Sequence, residues 1–243
     1  MRAFRTLFGL LVAAQVAYGR LPEGRRVGAT RGIVVLMLAT SVAEATAARG
    51  RRGAALVGLA GGLGFAAELV GVATGRPFGH YRYGPGLGVR VGGVPLLAAA
   101  AWAMLARPAW VVAGLVARTP LARVAAAAGA LTAWDVALDP RMVREGYWTW
   151  PGGGRYEDVP LSNFAGWALT GAGVFAVWAA LDRDDADAAH PRDDGALALY
   201  GWTWLGETFA SAVLWRRPRV AAAAGAAMGA FAIPALAARA RAT

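Results

Sequence analysis

The sequence predicts an all-α fold: a polytopic bundle of about eight membrane-crossing helices, seven being the alternative, in one integral membrane domain spanning 1–243. Three observations predict it. Apolar runs close to the ~20 residues that a bilayer crossing needs recur along the whole chain. Only 16% of the residues are charged and the mean hydropathy is +0.43, whereas soluble domains carry about 25% charged residues. The arginines cluster between the runs, as at Arg25-Arg26, Arg51-Arg52 and Arg216-Arg217, where anchors meet lipid headgroups.

The runs are 3–19, 31–48, 53–74, 93–117, 120–138, 160–181, 195–214 and 218–238. The first follows Arg2 and Arg5 and could pass for a signal peptide, but the further apolar spans after it favour a retained helix. The first, second and seventh are short or polar-tinged. The fourth contains Arg107-Pro108, which could kink it or divide it into shorter pieces. The expected location is the cell membrane, as a multi-pass protein with the lipid bilayer as its surroundings. Arginines divide almost evenly between the two sets of loops, so the positive-inside rule orients the chain only weakly. The acidic loop 182–194 is expected to face away from the cytoplasm. The loops 75–92 and 139–159 are separated by two crossings and therefore share a side.

Composition excludes several classes of chemistry. The chain has no cysteine, hence no disulfide, thiolate nucleophile or Cys-ligated metal. All 25 basic residues are arginine and the net charge is +10, but interleaving with apolar runs argues against nucleic-acid binding. The two histidines, His80 and His190, lie far apart, unlike the Glu-x-x-His clusters of di-iron sites. No metal site and no cofactor is expected. No Walker-type phosphate loop is present, and Gly152-Gly153-Gly154 reads as a turn.

The polar groups inside the spans carry the chemistry. An ionisable residue at membrane depth is a functional candidate that faces the bundle interior. Glu44, Glu68, Asp135 and Glu207 qualify, with Asp139 at a helix end. Glu44 has Arg49 and Arg51 nearby as pairing partners. Asp135 and Asp139 are four apart and share a helix face. Two carboxylates that close do not both ionise easily, so one is expected to hold a proton near neutral pH. Asp139 precedes Pro140 and could instead simply end its helix.

Two loops lead out of these spans. One runs from Thr74 through Phe78-Gly79-His80-Tyr81-Arg82-Tyr83; the other runs from Asp139 through Tyr147-Trp148-Thr149-Trp150 to Asn163 and Phe164. An interfacial aromatic belt accounts for scattered Trp and Tyr, less well for aromatics interleaved with buried acids. Asp182-Arg-Asp-Asp185 resembles a terpene-cyclase acid motif but lies in a charged loop. Asp135-x-x-x-Asp139 resembles half of a prenyltransferase motif, with Leu131 where asparagine would begin it and no second motif in an apolar helix.

Taken together, Glu68, Thr74-Gly-x-Pro-Phe-Gly-x-Tyr-x-Tyr83, Gly93-Val-Pro95, Trp134-Asp-x-x-x-Asp-Pro140, Trp148-x-Trp150, Pro160-Leu-Ser-Asn-Phe164 and Gly166-Trp167 resemble the carotenoid 1,2-hydratase family of the CruF type. Pro151-Gly-Gly-Gly154 departs from the pattern as an insertion-like stretch. The resemblance implies cofactor-free addition of water across the terminal double bond of an acyclic carotenoid, such as lycopene, γ-carotene or a bacterioruberin precursor. It implies a carotenoid substrate as partner, with other carotenoid-biosynthesis enzymes as possible partners. On this reading Asp135 and Asp139 form the proton-donor unit and Glu68 orients water, or the reverse. Tyr81, Tyr83, Trp134 and Trp148 stabilise the cation, Trp150 and Glu207 line the substrate site, and Asn163 and His80 hold the water network. The alternatives are another prenyl-lipid enzyme (prenyltransferase or cyclase) and a non-catalytic carotenoid-binding or transport protein.

Overall fold

The computed structural model describes residues 1–182 and 193–242, and its architecture is predominantly helical. In chain order come α1 (Arg2–Tyr18), α2 (Glu23–Thr74), the short strands β1 (Arg82–Tyr83), β2 (Arg90–Val91) and β3 (Val94–Pro95), α3 (Leu96–Val116), α4 (Pro120–Arg144), β4 (Trp148–Thr149), α5 (Leu161–Leu181), α6 (Asp194–Phe209), a π-helical turn (Ala210–Leu214) and α7 (Pro218–Arg241). Five of these helices, α2, α3, α4, α5 and α7, are long and apolar enough to cross a membrane. His190 and most of the acidic loop, with Asp184, Asp185 and Asp187, lie outside the described residues.

The long α2 is two arms, 23–49 and 51–74. Gly50 sits between them at φ 61° and ψ −150°, a conformation open to glycine because it has no Cβ. The chain doubles back there. A Cβ on Gly53 would stand 2.2 Å from the carbonyl oxygen of Ala45. The second and third apolar runs of the sequence are these two arms.

Without a hydrophobic driving force between helices in lipid, packing relies on close backbone approach at small residues. The second arm of α2 meets α3 this way: a Cβ on Gly64 would lie 2.1 Å from Cγ of Trp102. That contact seats the Trp102 indole beside α2. Helix α3 is the hub, with side chains from Trp102 to Gly114 buried throughout.

Three expectations are corrected here. Arg107-Pro108 does not divide the fourth span; α3 runs unbroken from Leu96 to Val116 with Pro108 inside it. Packing all round the helix offsets the single backbone bond that Pro108 cannot make. Asp139 does not end its helix, since α4 continues through Pro140 to Arg144. Glu44 takes Arg107 as its hydrogen-bonded partner: Nε donates at 2.5 Å and Nη2 at 3.3 Å, while Nη2 also donates to Asp193 at 2.6 Å. Arg49 instead faces Asp193 at 3.7 Å and Arg52 faces Asp182 at 3.4 Å. These charges gather at the Gly50 end of the bundle.

At the other end, β1 pairs antiparallel with β4, in register Arg82↔Thr149 and Tyr83↔Trp148. The two aromatic loops therefore share one end of the bundle, as the count of crossings predicts.

Candidate functional site

Strand alternation decides which side chains point inward. Tyr81 and Trp150 are buried and Tyr83 and Trp148 half-buried, whereas Arg82 and Thr149 between them are exposed. Tyr83 and Trp148, directly opposite in the ladder, pack edge to face at 5.9 Å, and Tyr81 lies 5.8 Å from Trp150. The Trp150 indole donates to the carbonyl of Phe78 at 3.0 Å, tying the two loops together.

Beneath this ribbon lie the acids. Asp135 and Asp139, one turn apart on α4, are 0% and 2% exposed. Asn163, in the first turn of α5, donates from Nδ2 to Asp135 Oδ2 at 2.9 Å and to Asp139 Oδ2 at 2.5 Å. Trp148 donates from Nε1 to Asp139 Oδ1 at 3.0 Å. Among the described residues, the buried Asp135 Oδ1 has no hydrogen-bond partner.

Glu68, 5% exposed on the second arm of α2, is the third acid. Tyr83 donates its hydroxyl to Oε2 at 2.8 Å, Tyr81 donates to the same oxygen, and Trp102 donates from Nε1 to Oε1 at 3.0 Å. Three donors on one carboxyl group complement negative charge. Burial, and next the neighbouring Glu68, push the Tyr81 and Tyr83 hydroxyls above the ordinary tyrosine range, so both remain protonated donors.

A cavity of about 510 Å³ opens onto these groups. Glu68, Asp139, Asn163, Tyr81, Tyr83, Trp134, Trp148, Trp150 and Glu207, all singled out in the sequence, line it. Asp135 stands behind Asp139 and is not on the wall. His80 is not brought in: it is exposed, absent from the cavity wall, and its ring packs over Gly75. Glu207 lines the cavity and faces Arg141 at 3.9 Å; among the described residues it makes no hydrogen bond to the other acids.

Sequence reasoning gave no site role to Trp167, quoted only within a family motif, or to Arg141, both on the wall, nor to Trp102, which does not line the cavity. Trp167 stacks on Trp102 at 4.0 Å and meets Trp134 edge to face at 6.3 Å. Trp102 carried no sequence signal, being one indole within an apolar helix. Among the described residues, no group of three or more His, Asp or Glu is placed to hold a metal ion.

Fold and site together define a multi-pass helical membrane protein enclosing an apolar cavity with acids and aromatics at one end. The family described as carotenoid biosynthesis protein matches residues 7–232, and the chain belongs to that family. The bisanhydrobacterioruberin hydratase of Haloarcula japonica is 34% identical over 127 residues, which cover 50% of this chain and 43% of that relative. The match thus spans less than half of the relative's length. No solved structure matches the chain.

Proposed function

We propose that the chain is a carotenoid 1,2-hydratase of the cell membrane, adding water across the terminal double bond of an acyclic carotenoid end group. The observation that carries this reading is the pairing of two kinds of acid across one aromatic-lined cavity. The Asp135–Asp139 pair, bridged by Asn163, suits a shared proton; Glu68, with three donors, suits a carboxylate. The hydratase relative supports the reaction class. Lycopene, γ-carotene and bacterioruberin precursors all carry the required isopropylidene end.

In this mechanism the polyene end enters the cavity with its terminal double bond beside Asp139, the pair's member on the wall. The Asp139 carboxyl O–H bond breaks as a C–H bond forms at carbon 2. Positive charge develops at carbon 1, the more substituted position, where the ring faces of Tyr83, Trp134 and Trp148 stabilise it. Water forms the C–O bond at carbon 1 and gives up a proton to Glu68, leaving a tertiary alcohol. Asp135 acts through Asp139 as a positioning residue, sharing its proton and its Asn163 donor. No redox cofactor enters this balance.

The test is expression in a lycopene-producing bacterium, with pigments analysed after growth in 18O-labelled water. A new tertiary alcohol carrying solvent oxygen is expected. Label arriving from molecular oxygen instead would overturn the proposal, and magnesium-dependent turnover of a prenyl diphosphate would assign the chain to prenyl transfer.

A further inference from the structure

A second chamber of about 490 Å³ adjoins the cavity, and its walls are charged: Glu23, Arg26, Arg144, Glu145 and Arg217 line it. The two spaces share Tyr18, Gly19, Arg141, Leu214 and Trp215. Along that junction lie three buried polar atoms without a hydrogen-bond partner among the described residues. They are Oγ of Ser211, a residue lining the charged chamber, Nε of Arg141, a residue lining both spaces, and Oε2 of Glu207, a residue lining the cavity.

Local structure explains why they lack partners. The π-helical turn shifts the backbone bonding, so that Trp215 N–H reaches Ala210 at 2.9 Å. Such π-insertions in helices are often functional. Ser211 lies in this turn, one helical step beyond Glu207. Arg141 leans over the Trp215 ring at 5.3 Å. Its Nη1 approaches Glu207 Oε1 only to 3.9 Å, too far for a direct hydrogen bond. An ion pair formed only for stability would close that gap, as Arg107 and Glu44 do at 2.5 Å.

We propose that Ser211, Arg141 and Glu207 form the water-delivery route of the site, passing water from the charged chamber to the apolar cavity. The proposal rests on the hydratase reading. Each station offers what a passing water needs: a hydroxyl that donates or accepts, a donor at Arg141, and an acceptor at Glu207. Hydration consumes one water per turnover, and aromatic rings line the acid end of the cavity. Trp134 Nε1 and Asp135 Oδ1 are two further unpartnered polar atoms at that end.

The experiment uses the fate of the cation. In D2O the donor carboxyl carries deuterium, and its O–D bond breaks as C–D forms at carbon 2. Capture by water then gives deuterated alcohol. When water is late, a C–H bond breaks at carbon 2 or at a methyl group, the proton returns to a carboxylate, and deuterated alkene is released. The ratio of alcohol to deuterated alkene measures water supply and does not depend on how much protein is folded.

In membranes carrying the full chain, Glu207→Leu and Arg141→Leu are expected to lower that ratio by roughly tenfold or more, and Glu207→Gln, which keeps an acceptor, to restore most of it. Ser211→Val, which replaces only a hydroxyl, should lower it less and serves if the leucine variants do not fold. A ratio equal to wild type in the folded variants overturns the route. So does an unchanged ratio with a raised KM for a carotenoid already hydroxylated at one end, which assigns the pair to an alcohol group. A wild-type protein yielding neither alcohol nor deuterated alkene removes the hydratase reading and the route with it; wild-type hydration with unaltered variant ratios removes the route alone.

Discussion

Asn163 uses a single amide nitrogen to bridge two carboxyl groups, donating to Asp135 at 2.9 Å and to Asp139 at 2.5 Å. The bridge crosses from α5 to α4, so helix packing and the protonation unit depend on one side chain. Asn163→Leu removes both bonds and leaves two buried carboxyl groups facing each other. Carotenoid hydration is expected to fall by about 10²-fold or more, with membrane insertion retained. Near-wild-type product from inserted Asn163→Leu would contradict the assignment.

Asp139→Asn and Asp135→Asn separate the two members of the pair. Asp139 is on the cavity wall and Asp135 is behind it. Asp139→Asn is expected to abolish proton transfer, a loss of about 10²–10⁴-fold. Asp135→Asn keeps a carboxyl on the wall and is expected to shift the pH profile as well as lower the rate. Rates across pH for both variants, measured on membranes, distinguish them; identical profiles would argue against a shared proton.

Trp102 and Gly64 offer a packing test. A Cβ at position 64 would lie 2.1 Å from Trp102 Cγ, and the displaced indole would lose its 3.0 Å bond to Glu68. Gly64→Ala is expected to destabilise the protein by about 1–3 kcal/mol through overpacking, read as a lowered Tm of detergent-solubilised protein. An unchanged Tm with full activity would show that α2 and α3 can separate freely.

The buried Arg107–Glu44 pair lies at the bundle end opposite the aromatic loops. Arg107→Met alone leaves the Glu44 carboxylate without its principal partner and is expected to cost about 3–5 kcal/mol; adding Glu44→Met should recover part of it, because Glu44 is then no longer stranded, while the buried Asp193 is left with Arg49 at 3.7 Å. Thermal unfolding of both variants checks the sign. A double variant no better than the single would mean the pair acts independently of charge.

Tyrosine ionisation supplies an alkaline test outside the membrane helices. Burial, and next the nearby Glu157, push the Tyr156 hydroxyl up to about 12 from the ordinary 10.0. Tyr81 and Tyr83 are raised as well, by burial first. Each neutral phenol is favoured in the folded state. Their contribution is therefore fully present below pH 10, and stability falls as pH rises above it, because the unfolded chain loses those protons first. Phenolate absorbance should appear late, together with unfolding. Early absorbance in a fully folded protein would contradict the burial of these rings.

The sequence by itself determined the helical class, because an apolar run long enough for a bilayer has few other ways to satisfy its backbone. It also determined that Asp135 and Asp139 share a face, through the 3.6-residue period, and that the two aromatic loops meet at one end, through the parity of crossings. Even the doubling of α2 was legible as two runs flanking Arg51-Arg52. Tertiary structure decided the rest. That Trp102 reaches Glu68, that Arg107 rather than Arg49 or Arg51 bonds Glu44, and that His80 stays outside the cavity all depend on which helix faces meet. So does the route through Ser211, Arg141 and Glu207, whose members lie on different helical elements. Periodicity places a side chain around its own helix axis; only packing decides which neighbour it finds.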